Sequence, residues 1–228
     1  TDGEETHRLR LVKRTENDKG YLGVRGFWKD GEILPPPDRP APKQIVFIGD
    51  SITCGFGNTT EEKDRLFFSP DEDGWQSHGA VAARMLGMEP TLVSSSGICL
   101  TTYRGWPHPY AMDGLYDYTD RMLEDKLGRT ELTRWDFAAH PADYVVLNLG
   151  TNDANGLALE GAEGPAHHAR AYRAFLEHLR AVHPGAHILC ALGSMDYYLY
   201  TDLQRIVAEY RRDTGDHRVE CFRYPKMD

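Results

Sequence analysis

The sequence predicts an α/β fold: a parallel sheet with helices packed on both faces. Three observations predict it. Short apolar runs at 45–48, 144–149, 187–192 and 219–224 read as strands buried on both faces. Segments with helical spacing alternate with them, an order that implies right-handed crossovers between parallel strands. Glycine-containing polar turns follow three of the strands, and in such sheets sites form at the C-terminal strand ends.

The elements follow in order. Residues 6–30 read as β-structure, because 7–12 and 21–27 alternate in polarity and 17–20 supply a turn. Two strands alone are not a stable unit, so they read as the end of a β-domain or as an edge packed on the main one. Residues 35–42, with five prolines, form a stiff linker. The strand at 45–48 runs into Gly49-Asp50-Ser51. A helix at 79–86 stops near Gly87. The strand at 91–93 enters Ser94-Ser95-Ser96-Gly97. The strand at 144–149 leads to Gly150-Thr151-Asn152-Asp153. Tyr172, Phe175, Leu176, Leu179 and Val182 share one helix face, ended by Pro184-Gly185. Residues 203–210 form the last helix.

The 228 residues fit one domain with something appended, and 40% hydrophobic with 27% charged residues is a globular composition. A formal net charge of −9 argues against nucleic acid and anionic membrane as partners. No apolar run is long enough to span a bilayer. The chain opens on Thr1 without a signal peptide, so its beginning does not report localisation. Cys54, Cys99, Cys190 and Cys221 lack metal-ligand or redox spacing and read as buried thiols; a Cys54–Cys99 disulfide stays open.

Ser51 is the candidate nucleophile, at the tip of a buried strand after a glycine that permits a sharp turn. At a helix start its own N–H would face a developing oxyanion. Gly97 offers a second backbone N–H and Asn152 a side-chain amide, which makes three donors. Taken singly, Ser51 also reads as a helix cap, Gly97 as a turn glycine and Asn152 as an Asx-turn. Asp50 and Asp153 read as supporting carboxylates. Tyr103, Trp106 and Tyr197 are candidates for stacking on a sugar ring, with core packing the alternative. Among ten histidines, His167, His168, His178 and His183 read as a solvated helix face, and His187 and His217 lie at strand starts. His108, His78 and His140 are the remaining candidates for a base.

These residues resemble the SGNH (GDSL-type) hydrolases over about 44–228, in three ordered blocks: Gly49-Asp50-Ser51, Gly97, and Gly150-Thr151-Asn152-Asp153. Residues 13–16, Gly23 and Gly26, the proline linker, 49–55, Ser96-Gly97 and Trp135-Asp136-Phe137 are similar to carbohydrate esterase family 2. The resemblance implies a three-layer, flavodoxin-like α/β/α domain with a jelly-roll domain before it. Residues 1–34 would be that domain's last strands. It further implies a secreted or cell-surface bacterial serine esterase, acting on acetylated plant polysaccharides through an acyl-enzyme, with no metal or cofactor. Ser51 is then the nucleophile, and Ser51, Gly97 and Asn152 form the oxyanion hole. A lipase- or thioesterase-like hydrolase and a non-catalytic carbohydrate-binding relative are the alternatives.

The family's histidine lies in a C-terminal block, before a proline and after the last strand. Residues 224–228 carry no histidine, so the expectation is a chain truncated at both ends. Loss of a triad member costs on the order of 10⁴–10⁶ in kcat. Residues 1–228 are therefore expected to be nearly inactive on acetyl esters beside a gene product extended past Asp228. Equal rates from the two folded proteins would place the base within these residues.

Overall fold

A computed structural model describes residue 7 and residues 9–35, 40–62 and 66–226. Five strands form one parallel sheet: β1 (Gln44–Gly49), β2 (Glu89–Ser94), β3 (Tyr144–Asn148), β4 (His187–Leu192) and β5 (Val219–Arg223), in the order β2-β1-β3-β4-β5. Around it lie α1 (Ser51–Cys54), α2 (His78–Met85), α3 (Met112–Leu115), α4 (Arg121–Lys126), α5 (Thr151–Ala158), α6 (Gly164–Val182) and α7 (Tyr200–Thr214). The α/β class is present, with the strands expected at 45–48, 91–93, 144–149, 187–192 and 219–224.

Strand alternation divides the core. Val46 and Ile48, Val145 and Leu147, and Ile188 and Cys190 face Tyr172, Phe175, Leu176 and Leu179 of α6, with Leu203, Ile206, Val207 and Tyr210 of α7. Ile45, Phe47 and Val146 face the other way, with Ala83 of α2 and Leu92 of β2. The spacing of the α6 side chains places them on one stripe, which is why that helix is legible in the sequence. Each such buried side chain contributes roughly 1.5–3 kcal/mol of apolar transfer.

Register positions the site. Gly49 pairs with Ser94 on one side and with Asn148 on the other, so the three central strands end level. β1 connects towards β2, while β3 and the later strands lie on the opposite side of β1. The crevice between β1 and β3 is thus the topological switch point, where the connections diverge and leave room for a ligand.

The β-structure expected at 6–30 is absent among the described residues, which hold only a 3₁₀ turn at Asn17–Lys19. Alternating strands need neighbours to pair with, and none lies beside this segment. Leu9, Phe27, Trp28 and Ile33 stay exposed. Glu16 is the exception, buried against the main domain. Most of the proline linker, 36–39, lies outside the described residues. The short helices α3, α4 and α5 carry too few periodic apolar residues to be read from sequence.

Leu179 is fully buried between α6 and the sheet. Leu179→Ala is expected to lower stability by about 2–5 kcal/mol, through lost transfer energy and the cavity left behind. Urea unfolding checks this; a loss under about 1 kcal/mol would mean that the α6 face is not a close-packed part of the core.

Candidate active site

Ser51 stands at the first position of α1, directly beyond β1. Asp50 caps that helix, its Oδ1 accepting the Ile52 N–H at 3.0 Å, and its carbonyl accepts from Thr53 and Cys54 at 3.0 Å. The Ser51 N–H belongs to the first helical turn, where no intrahelical acceptor exists. Gly49 is required by space: a Cβ there would fall on Thr53 Oγ1 and within 3.2 Å of the Asn148 carbonyl. A side chain at 49 would therefore push the helix that begins at Ser51 off the strand.

Gly97 sits in the turn that follows β2, closed by the Ile98 N–H bonding to the Ser95 carbonyl at 3.3 Å. Its φ is +78°, in the left-handed region that favours glycine. A Cβ there would meet only His108 Cδ2 at 3.8 Å. Backbone conformation, rather than crowding, accounts for this glycine. Trp106 Nε1 donates to the Gly97 carbonyl at 2.9 Å and braces the turn from outside.

Asn152 is the second residue of α5, beyond β3. Its Nδ2 donates to the Ile98 carbonyl at 3.0 Å. One amide hydrogen is thereby fixed, which orients the second. The same bond ties α5 to the Gly97 turn. Asp153 lies beneath, fully buried; its two oxygens accept the Leu100 N–H at 3.0 and 3.1 Å, and Oδ1 also accepts the Tyr103 hydroxyl at 3.0 Å. Ser51, Gly97 and Asn152 thus all leave the same edge of three adjacent strands.

The aromatic candidates fare differently. Tyr103 is buried, with its hydroxyl between Asp153 and His168 Nδ1 at 2.9 Å. It belongs to the support of the site and cannot stack on a sugar. Tyr197 donates its hydroxyl to the Tyr224 carbonyl at 3.1 Å, and the Arg223 guanidinium covers its ring at 5.0 Å. Trp106 remains half-buried beside Gly97.

The histidines need correction too. His168 and His183 are buried rather than solvated; His183 Nε2 lies 2.7 Å from the Tyr116 hydroxyl. Burial inside an amphipathic helix full of charges leaves no periodic signal that separates them from their exposed neighbours. Of the candidate bases, His108 holds Ser95 Oγ at 3.3 Å and the Tyr110 carbonyl at 2.7 Å, so both ring nitrogens are engaged away from Ser51. His78 is pushed below its ordinary value by burial, against a hydrogen bond to the Ile52 backbone. His140 stacks on Trp135, just before the start of β3 and away from the Ser51 edge. Among the described residues no histidine is hydrogen-bonded to the Ser51 hydroxyl.

All four cysteines are free, and burial pushes the thiols of Cys54 and Cys99 well above the ordinary range. Among the described residues, no group of three His, Cys, Asp or Glu side chains is placed to hold a metal ion, and no helix is long and apolar enough to cross a membrane. A cavity of about 1230 Å³ runs between β2 and the N-terminal segment, touching Ser94 and Ser95, and Ser51 does not line it.

A model of the GDSL-like Lipase/Acylhydrolase family matches residues 47–220. The chain is 36% identical over 231 residues to the cellulase/esterase CelE of Acetivibrio thermocellus, covering 99% of this chain and 27% of that protein. It is 28% identical over 196 residues to an acetylxylan esterase / glucomannan deacetylase of Cellvibrio japonicus, covering 83% of this chain and 50% of that one. A family two carbohydrate esterase from Clostridium thermocellum, solved with cellohexaose, superposes with a TM-score of 0.73 at 31% identity, over 88% of this chain and 59% of that structure. The chain therefore spans at most half the length of these two named relatives.

Burial raises the Asp50 carboxyl from 3.8 to about 7, with the Asp153 charge adding and the Ile52 N–H opposing. A raised folded-state value means that the stability gained from the neutral acid is complete below about pH 4 and is lost as pH rises through about 7. Asp50→Asn keeps the acceptor for Ile52 and removes the titration. The variant's unfolding free energy is expected to fall less between pH 4 and 7 than the parent's, in urea titrations at matched ionic strength. Glu72, also raised to about 7 by burial and then by the Glu16 charge, contributes equally to both proteins. Identical slopes would show that Asp50 is ionised throughout that range.

Proposed function

Because the chain belongs to the GDSL-like lipase/acylhydrolase family, we propose that it carries the nucleophile and oxyanion hole of a serine esterase that removes acetyl groups from plant polysaccharides. One observation carries this reading: the Ser51 hydroxyl, the N–H groups of Ser51 and Gly97 and the second amide hydrogen of Asn152 leave the level ends of β1, β2 and β3. The likeness to the esterases of Acetivibrio thermocellus and Cellvibrio japonicus supports the acetylated-carbohydrate substrate.

In this mechanism the Ser51 hydroxyl attacks the acetyl carbonyl as a base takes its proton. The carbonyl oxygen becomes an oxyanion, held by the N–H groups of Ser51 and Gly97 and the free amide hydrogen of Asn152. Collapse expels the sugar hydroxyl, which recovers the proton, and leaves acetyl-Ser51; water then releases acetate by the reverse sequence. Donors fixed before reaction need no reorganisation as the charge forms, which is the main source of rate in such sites. Our reading keeps the base in the block that follows β5. It also takes the exposed Leu9, Phe27 and Ile33 as part of the inner face of a β-sandwich that ends near residue 34.

A second reading is binding of a β-glucan chain across the same crevice. The relative solved with cellohexaose favours it. The two readings separate by experiment: binding without turnover would leave cellohexaose affinity intact in a Ser51→Ala protein and acetate release absent in the parent.

In the full-length gene product, Ser51→Ala is expected to abolish acetate release from acetylxylan with the fold intact. A serine-directed organophosphonate should map to Ser51. Asn152→Ala should lower kcat by roughly 10²–10³-fold with KM little changed, because its donor acts on the charge of the transition state. Undiminished turnover in a folded Ser51→Ala protein would remove Ser51 as the nucleophile. A change in KM alone would make Asn152 a substrate-binding residue.

A further inference from the structure

We propose that Glu16 is a positioning residue for the esterase site: one of its carboxylate oxygens fixes the oxyanion turn to the nucleophile's helix. The inference rests on the esterase reading and adds a residue from outside the three sequence blocks.

Glu16 belongs to the N-terminal segment, most of whose described residues are exposed, yet its side chain is 2% exposed. Oε2 accepts the Ser96 N–H at 2.6 Å. The same oxygen faces Cys54 Sγ at 3.6 Å, and that thiol also lies 3.2 Å from Ser94 Oγ. Ser96 immediately precedes Gly97. Cys54 is the last residue of the one-turn helix that begins at Ser51. A single oxygen atom therefore holds the two pieces of backbone that supply two of the three oxyanion donors.

The carboxylate is itself held. The Glu16 N–H donates to Glu72 Oε1, Lys13 Nζ donates to the Glu16 carbonyl at 2.9 Å, and Lys19 Nζ lies 3.5 Å from Oε1. Glu72 is fully buried, and neighbouring backbone is clamped by the Gly74 N–H on the Arg14 carbonyl at 2.7 Å. Burial alone would raise the Glu16 carboxyl; the Ser96 hydrogen bonds, the Lys19 charge and the Cys54 thiol leave it below its ordinary value. A charged acceptor makes the stronger bond to a backbone N–H. The Gly97 turn gains from such a bond, because a Cβ at its left-handed residue would meet only His108 Cδ2, at 3.8 Å, so side-chain crowding does little to fix it.

Displacement of a catalytic donor by about 1 Å costs on the order of 10² in rate. The test uses the full-length gene product, with acetate release from acetylxylan and hydrogen exchange followed by mass spectrometry over residues 93–100. Glu16→Ala is expected to lower kcat about 10²-fold with KM within about threefold, and to speed exchange at 93–100. Glu16→Gln, which keeps an acceptor of the same reach, should recover part of kcat. Arg14→Ala serves as the control: it removes the 3.3 Å ion pair to Asp73 in the same segment without touching Ser96, and should leave kcat and exchange near the parent's. The proposal is overturned if a folded Glu16→Ala protein keeps kcat within threefold, if KM rises while kcat holds, or if Arg14→Ala is as damaging. A parent that releases no acetate fails the esterase reading instead. Exchange at 93–100 then decides whether Glu16 holds the turn, and unchanged exchange in Glu16→Ala overturns it.

Discussion

The site depends on the level ending of three parallel strands. Gly49 is in register with both Ser94 and Asn148, so the backbone leaves the sheet at one height on β2, β1 and β3. Each exit then turns differently. β1 enters a helix at once, which leaves an unpaired N–H at Ser51; β2 enters a left-handed turn, which exposes Gly97; β3 enters α5, which presents Asn152. A slip of one residue would reverse the faces of every strand side chain and set the donors at different heights. The buried runs on both faces of β1 and β3 hold the register, so core packing and catalytic geometry are one constraint.

Two buried carboxylates stitch the exits together below the surface. Asp153 reaches from α5 to the Leu100 N–H and Tyr103, beyond the Gly97 turn. Glu16 reaches from the N-terminal segment to Ser96, before that turn. The turn is thus held on both flanks by acceptors, and the esterase reading assigns its own N–H to the substrate. Asn152 and Trp106 add bonds to the carbonyls of Ile98 and Gly97, which fix the same peptide units from their other ends. None of these bonds uses the Gly97 N–H, which the esterase reading assigns to the oxyanion.

Much of this was legible in the sequence, for physical reasons. The strands announce themselves as apolar runs bounded by polar turns, and the nucleophile by a glycine that only a tight strand-to-helix junction requires. α6 is legible because four core side chains recur at helical spacing. The support was not legible. Glu16 sits in a segment whose alternation mimics a strand, and nothing local marks one charged residue there as buried. Tyr103 and His168 look like an exposed aromatic and a surface histidine, because the buried carboxylate of Asp153 that the Tyr103 hydroxyl joins to His168 lies 50 residues from Tyr103 in the sequence. Long-range polar pairing leaves no period in a sequence.

The arrangement carries a cost that stability alone would not select. Among the described residues, buried polar atoms without a hydrogen-bond partner gather around this edge: Asp50 Oδ2, Thr53 Oγ1, Glu72 Oε2, Ser96 Oγ and Asn148 Nδ2. Each such group, left unpaired, opposes folding by about 1–3 kcal/mol. An apolar strand end of the same shape would avoid that penalty, but it would hold neither the helix cap at Asp50 nor the acceptor at Ser96. The large apolar face under α6 and α7, with no comparable burden of unpaired groups, offsets the cost. Stability and function are therefore divided between the two faces of one sheet edge: the helices behind β3 and β4 supply cohesion, and the polar turns ahead of β1 and β2 consume part of it to keep three donors fixed before any substrate arrives.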